Sequence, residues 1–281
     1  MSAAGTAQEE AGMAKVAFVA HIYYPDLWDE MLRYLMRVKI PFDLYVTVSA
    51  TAAPGTATRI KRGCPQANIH VVENKGRDIL PFVSLLNSGL FTQYEAVCKI
   101  HTKKSLHLLA GSSWRRYLLS SLVAGKQGIP EGFRLLANDD SIGIVCPRGF
   151  CLDHRAWAAN RQRAATLAAS RGLPIEGIPL AFPAGSMFWF RPRALEWLRS
   201  LALTPEDFEP EAGQLDGTTA HAVERLLGIS AAAAGLKTVE LPRQFGPGLW
   251  SHYYLKLPRL SHLEAILRRK LTKSLRFGLE K

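Results

Sequence analysis

Through its first half the chain alternates short apolar blocks with polar, glycine- and proline-containing stretches. Residues 16–20 read as a first strand, and the β-branched, alternating run 42–49 as a second. Residues 68–73, 95–100 and 142–146 give three more. Helical patterns near 27–38, 79–86 and 114–122 fall between them. Strand and helix alternating at this spacing predict a mostly parallel sheet with helices on both faces. In such sheets ligands bind beyond the carboxyl ends of the strands.

After Pro147 the pattern changes. Residues 155–171 are Ala/Arg-rich and predict a helix, 185–190 form a dense apolar segment, and a further helix starts near Arg193. The acidic stretch Glu206-Asp207-Phe208-Glu209-Pro210-Glu211 leads to Asp216-Gly217-Thr218-Thr219-Ala220-His221, which opens a helix to about Leu227. No repeat and no long linker divides the chain. At the end, Leu260, Leu263, Leu267, Leu271 and Leu275 recur at helical spacing, with Arg268, Arg269, Lys270, Lys273 and Arg276 between them. That predicts a basic amphipathic helix over 257–281, either packed on the body or lying on anionic lipid.

Composition narrows the picture modestly. With 281 residues, 48% hydrophobic and 21% charged, the chain is an ordered globular protein. Its net charge of +11 favours anionic partners. Cys64, Cys98, Cys146 and Cys151 include no CxxC pair, so buried thiols are expected, not a disulfide framework or zinc site. Residues 1–13 are small and acidic, unlike an export signal, and no apolar run approaches a membrane span, so a cytoplasmic location is expected.

The candidate chemistry sits at two strand ends. Asn74-Lys75-Gly76-Arg77-Asp78 follows the third strand, and Gly76 permits a tight bend between two cations. Free N–H groups of the following helix would face the same point, a seat for phosphate. Lys99-Ile100-His101-Thr102-Lys103-Lys104-Ser105 repeats the arrangement after the fourth strand, with Lys103 and Lys104 suited to a diphosphate. His101 is a candidate phosphate donor or metal ligand. His21, Tyr23, Tyr24 and Asp26 lie where a nucleobase or sugar would stack, and Asp139-Asp140 reads as a turn. Asp216 is the leading candidate for a general base, with an acidic approach expected to raise its proton affinity. An N-cap or Asx-turn is the competing role, Glu211 the weaker alternative base, and His221 the expected spatial neighbour.

These segments, with His21-Ile22-Tyr23-Tyr24-Pro25-Asp26-Leu27-Trp28 and Phe182-Pro183-Ala184-Gly185-Ser186-Met187-Phe188-Trp189, together resemble the rhamnan synthesis F protein family over residues 16–241. The resemblance implies a GT-A-like fold and a glycosyltransferase of bacterial surface polysaccharide assembly. It would move a sugar from a nucleotide-sugar donor to a lipid-linked glycan acceptor, at the inner face of the cytoplasmic membrane. Gly185 and Ser186 would begin a segment, running to Trp189, that shapes the sugar pocket. Where that fold carries a metal-binding Asp-x-Asp, this chain has Lys99-Ile100-His101-Thr102-Lys103. No metal cofactor is therefore expected, although Asp78 or Asp216 offers one carboxylate. Lys75, Arg77, His101, Lys103 and Lys104 would hold the diphosphate, while Asp78 organises its loop or meets the ribose. A non-catalytic glycan- or lipid-carrier-binding subunit is the alternative. Nucleic-acid binding rests on net charge alone and ranks last.

Overall fold

The first strand is apolar at every position because both of its faces are covered. In the computed structural model, which describes residues 16–52, 55–104, 111–157, 160–214 and 216–242, strand β1 (Val16–Ile22) is buried throughout. Ala17 and Val19 enter one core cluster, and Val16, Phe18, Ala20 and Ile22 enter the other. A central strand of a parallel sheet reads this way.

The chain continues through α1 (Trp28–Leu35), β2 (Asp43–Ser49), α2 (Thr56–Gly63), β3 (Asn68–Val72), α3 (Ile79–Asn87), β4 (Ala96–His101), α4 (Gly111–Val123), α5 (Glu131–Asn138) and β5 (Ile142–Cys146). Then come β6 (Cys151–Leu152), α6 (Asn160–Ala169), β7 (Phe182–Pro183), β8 (Phe188–Phe190), α7 (Glu196–Ser200), α8 (Thr219–Ala233) and β9 (Lys237–Glu240). Seven strands form one sheet in the order β3-β2-β1-β4-β8-β5-β9, and β6 pairs with β7 apart from it. All neighbours in the large sheet are parallel except β8, which runs antiparallel to both β4 and β5. This is the mostly parallel α/β architecture that was expected. Side chains of α1, α2, α4 and α5 cover one face, and those of α3, α6, α7 and α8 the other.

Some boundaries moved. The helix expected from 155 starts at Asn160, after a short 3-10 turn at His154–Ala156. The helix expected to open at Asp216 starts at Thr219, because Thr218 is its N-cap, and it continues to Ala233. Asp139 makes the expected turn, its Oδ1 accepting from the Ser141 N–H at 2.8 Å. Cys98 and Cys146 are buried free thiols, as their strand positions predict. Among the described residues no helix is long and apolar enough to cross a membrane. The leader (1–13) and the basic helix (257–281) lie outside the described residues.

Candidate functional site

Parallel pairing puts the carboxyl ends of β1, β2 and β4 on one edge, and the start of antiparallel β8 joins them there. His21 is in register with Thr47 on one side and His101 on the other. Its Nδ1 lies 3.0 Å from Thr47 Oγ1. Burial pushes His21 down to about 4 and His101 to about 3, so both rings are neutral at ordinary pH. His21 is therefore enclosed in the sheet and not open to a stacking base, whereas Tyr23 is 44% exposed and packs edge-on against Tyr24.

Lys99 is the centre of this edge. In β4 it shares a face with Val97, so its side chain crosses beneath α3, with Nζ 5.4 Å from the Phe82 ring centroid. Its Nζ donates to Asp78 Oδ2 at 2.5 Å, and to Ser186 O and Oγ at 2.8 Å each. An ammonium has three N–H groups, and all three are used. Burial opposes a charge on Asp78, but the charge and hydrogen bond of the Lys99 ammonium more than offset it, holding the carboxyl far below the usual range.

This donor set bears on whether a metal would sit at the strand end. A divalent cation of the magnesium or manganese type wants anionic oxygens. Here the facing carboxylate, Asp78, is already bound by a buried cation, and His101 Nδ1 lies 3.3 Å from the same oxygen. Among the described residues no group of three His, Cys, Asp or Glu side chains is placed to hold a metal. The residues present do not fit a divalent ion at this point.

The loop before α3 bends at two consecutive left-handed residues, Gly76 (φ 62°) and Arg77 (φ 57°). A Cβ on Gly76 would lie 2.6 Å from Leu80 Cβ and 2.7 Å from Phe208 Cδ1, so the position requires glycine. The expected phosphate seat on the helix N-terminus is not there. The N–H groups of Ile79 and Leu80 both turn back to the Gly76 carbonyl, at 3.0 and 3.1 Å, and Pro81 has none. The loop instead ties to the later acidic segment. Arg77 N–H donates to Glu211 Oε1 at 3.0 Å, and the Arg77 guanidinium donates to the Gln214 carbonyl. Asn74 and Lys75 are half-buried beside it.

The two lysines after β4 have separate fates. Lys104 pairs with Asp26 at 2.8 Å and lies over Tyr24, away from the Asp78 cluster. Lys103 Nζ sits 4.4 Å from the Trp114 ring centroid and pairs with no carboxylate among the described residues. Burial lowers its pKa, while Asp78 and Glu224 act to raise it.

Gly185 (φ 82°) and Ser186 (φ 55°) make the second left-handed pair. Gly185 N–H donates to Glu224 Oε1 at 2.8 Å, and Glu224 Oε2 accepts from Arg225 at 2.7 Å. Burial raises the Glu224 pKa. Met187, Phe188 and Trp189 are core, with the Trp189 indole bonded to the Leu122 carbonyl, so only Gly185 and Ser186 of that segment reach the site.

Asp216 differs from expectation in one respect. Burial pushes its pKa up, but hydrogen bonds from Asn160 and the Gly217 N–H, with the charge of Arg225, overcome this and leave it lowered. The acidic approach has no such effect because Glu209 is engaged by Arg163 and Thr219, and Glu211 by Arg77. His221 caps the helix: its Nδ1 lies 2.7 Å from Thr218 Oγ1. Burial and the nearby Arg77 charge press His221 down to about 4.

The model of the family described as Rhamnan synthesis protein F matches residues 3–236. The chain belongs to that family. Two relatives, each an uncharacterized protein WxcX of Xanthomonas campestris pv. campestris (strains B100 and ATCC 33913), are 33% identical over 229 residues. The alignment takes in 81% of this chain and 33% of each relative, so this rhamnan synthesis F family member spans about a third of their length. Among solved structures, a 4-diphosphocytidyl-2C-methyl-D-erythritol synthase is 14% identical, with a TM-score of 0.38 over 84% of this chain and 90% of that one. A glucosyl-3-phosphoglycerate synthase of Mycobacterium tuberculosis, in complex with Mn2+, UDP and glucosyl-3-phosphoglycerate, is 13% identical, with a TM-score of 0.36 over 83% and 72%. At those scores neither bears on the chemistry of this chain.

The sequence assigned no individual role to Lys99, Glu224, Arg225 or Asn160. Lys99 carried a signal, since a lysine inside a fully buried strand needs a partner. Asn160 carried none, being 56 residues from the aspartate it touches.

Proposed function

We propose that this family member is a glycosyltransferase domain of bacterial surface-polysaccharide synthesis. It moves a sugar, rhamnose by the family's description, from a nucleotide-sugar donor to a lipid-linked glycan acceptor. The observation that carries this reading is one neighbourhood of mutually acting charges. There the 74–78 loop, the end of β4 and the start of α8 meet: Lys103 feels Asp78, Glu224 and Arg77, His221 feels Arg77, Arg225 and Asp78, and Glu224 feels Arg225, Asp78 and Lys103. This neighbourhood holds a cation, Lys103, that pairs with no carboxylate among the described residues, and an ionised carboxylate, Asp216.

In this reading Asp216 removes the proton from the acceptor hydroxyl as its oxygen attacks the anomeric carbon, with inversion. The bond from that carbon to the diphosphate breaks, and the nucleoside diphosphate leaves with the electron pair. Lys103, with Lys75 and Arg77, meets the developing charge as fixed positive groups do in related transfers. Asp78 stays with Lys99 and sets the loop, while Gly185 and Ser186 border the sugar. Transfer proceeds without a divalent metal, and the basic 257–281 segment holds the domain on the anionic inner membrane face.

A thermal-shift screen of nucleotide sugars, with and without EDTA, tests donor and metal together. Stabilisation by one donor, unchanged by EDTA, is expected. Asp216→Asn should bind that donor normally and transfer nothing. A wild-type protein that neither hydrolyses nor transfers any donor would instead favour the glycan- or carrier-binding role, which the Lys99 ammonium at the Asp-x-Asp position supports.

A further inference from the structure

Asn160 opens α6 and is fully buried. Its Nδ2 makes both of its hydrogen bonds, to the Trp157 carbonyl at 3.1 Å and to Asp216 Oδ1 at 2.7 Å. Two acceptors on one nitrogen fix which way the amide faces, since a flipped amide would put oxygen against oxygen twice. Trp157 is itself immobilised: it is fully buried, and its indole donates to the Leu180 carbonyl at 3.0 Å. The amide is thus a rigid donor bound to one oxygen of Asp216, a carboxylate that also accepts from the Gly217 N–H. Among the described residues, the other charged and titratable groups that act on this carboxylate are on α8. Arg225 lies 4.0 Å from the same Oδ1, and His221 turns its Nδ1 to Thr218. Arg163 of α6 is taken by Glu209.

From this geometry we propose that Asn160 is a positioning residue for the transfer, clamping Oδ1 of Asp216 so that Oδ2 is the oxygen presented to the acceptor hydroxyl. The inference rests on the reading of Asp216 as the base. A clamp of this kind does two things. It fixes the direction of the free oxygen, and it stabilises the ionised form against protonation.

The test follows the Asp216 carboxyl carbon by 13C NMR across pH in the full chain, with the resonance assigned by its loss in Asp216→Asn. Alongside it runs the pH dependence of kcat and KM for hydrolysis of a nucleoside-diphosphate-rhamnose. Asn160→Ala is expected to raise the Asp216 titration midpoint and to move the acid limb of kcat to higher pH. It should lower kcat about ten- to hundredfold, the scale of a misplaced reacting group, with donor KM within about twofold. Asn160→Asp keeps the shape and replaces the donor with an acceptor, so it should shift both midpoints the same way and further. That variant also serves if the alanine protein does not fold. An unchanged carboxyl titration in both variants overturns the inference. So does a kcat profile matching wild type while Asp216→Asn is inactive, and the base reading then survives. An active Asp216→Asn overturns the base reading itself. Without donor hydrolysis, the NMR titration still decides whether the clamp exists.

Discussion

The ammonium of Lys99 lies 2.5 Å from Asp78 Oδ2, inside the sheet, with the lysine side chain 2% exposed and the aspartate 18%. This pair joins β4 to the loop before α3, and through Ser186 to the start of β8. Lys99→Met would leave Asp78 unpaired. The cost of breaking such a pair is about 3–5 kcal/mol at neutral pH. Asp78 has a depressed folded pKa, so the wild type keeps this contribution above the unfolded value of about 4 and loses it progressively below. In the variant, burial without a cation raises the Asp78 pKa, so the stability gap should narrow as pH falls toward about 4. Urea unfolding midpoints of both proteins across pH measure this.

Three histidines give the site a second pH dependence. His21, His101 and His221 are held at about 4, 3 and 4 when folded, against about 6.5 unfolded. Between those values the unfolded chain binds protons that the folded chain refuses, so stability falls as pH drops from about 6.5 toward 4. His101→Asn should flatten that slope by close to one proton, and His221→Asn by less, because that ring is only partly buried. The slope of unfolding free energy against pH reads both.

Gly76→Ala tests the loop. It puts a side chain at φ 62°, 2.7 Å from Phe208. Strain of this kind costs about 1–3 kcal/mol. A drop in Tm with weakened nucleotide-sugar binding is expected, because Phe208 and Leu80 cannot both yield. An unchanged Tm would show that the loop is not packed as described.

Lys103 and Lys104 should separate. Lys103→Met removes the cation beside Trp114 and should weaken donor binding by about tenfold or more. Lys104→Met breaks a half-exposed pair with Asp26 and should cost less. Calorimetric titration with the donor from the screen compares them, and equal losses would put both lysines on the diphosphate.

Much of the sheet was readable because burial on both faces forces continuous apolar runs, as in β1 and β4. α2 and β9 were not. The sequence of α2, Thr-Ala-Thr-Arg-Ile-Lys-Arg-Gly, buries only Thr56 and Ile60, and edge strand β9 is Lys-Thr-Val-Glu. Too little of either faces the core to leave a pattern. β8 was visible as an apolar segment, but its antiparallel direction follows from the path of the chain and not from Phe-Trp-Phe. The loop 74–78, Lys103, Gly185, Ser186 and Asp216 were legible as polar or glycine positions at strand ends. Their allocation was not: nothing local distinguishes Lys103 from Lys104, or marks Ile79 and Leu80 as having spent their N–H groups.

The sequence by itself determined the α/β class, the family, and the place of the basic loops at the carboxyl ends of strands. Those depend on local periodicity and on short motifs. The tertiary structure decided which charges meet. Lys99 reaches Asp78 across 21 residues, Arg77 reaches Glu211 across 134, and Asn160 reaches Asp216 across 56. Hydrogen bonds and ion pairs act over a few ångströms of space, and spacing along the chain does not record which of many polar side chains arrive within that range.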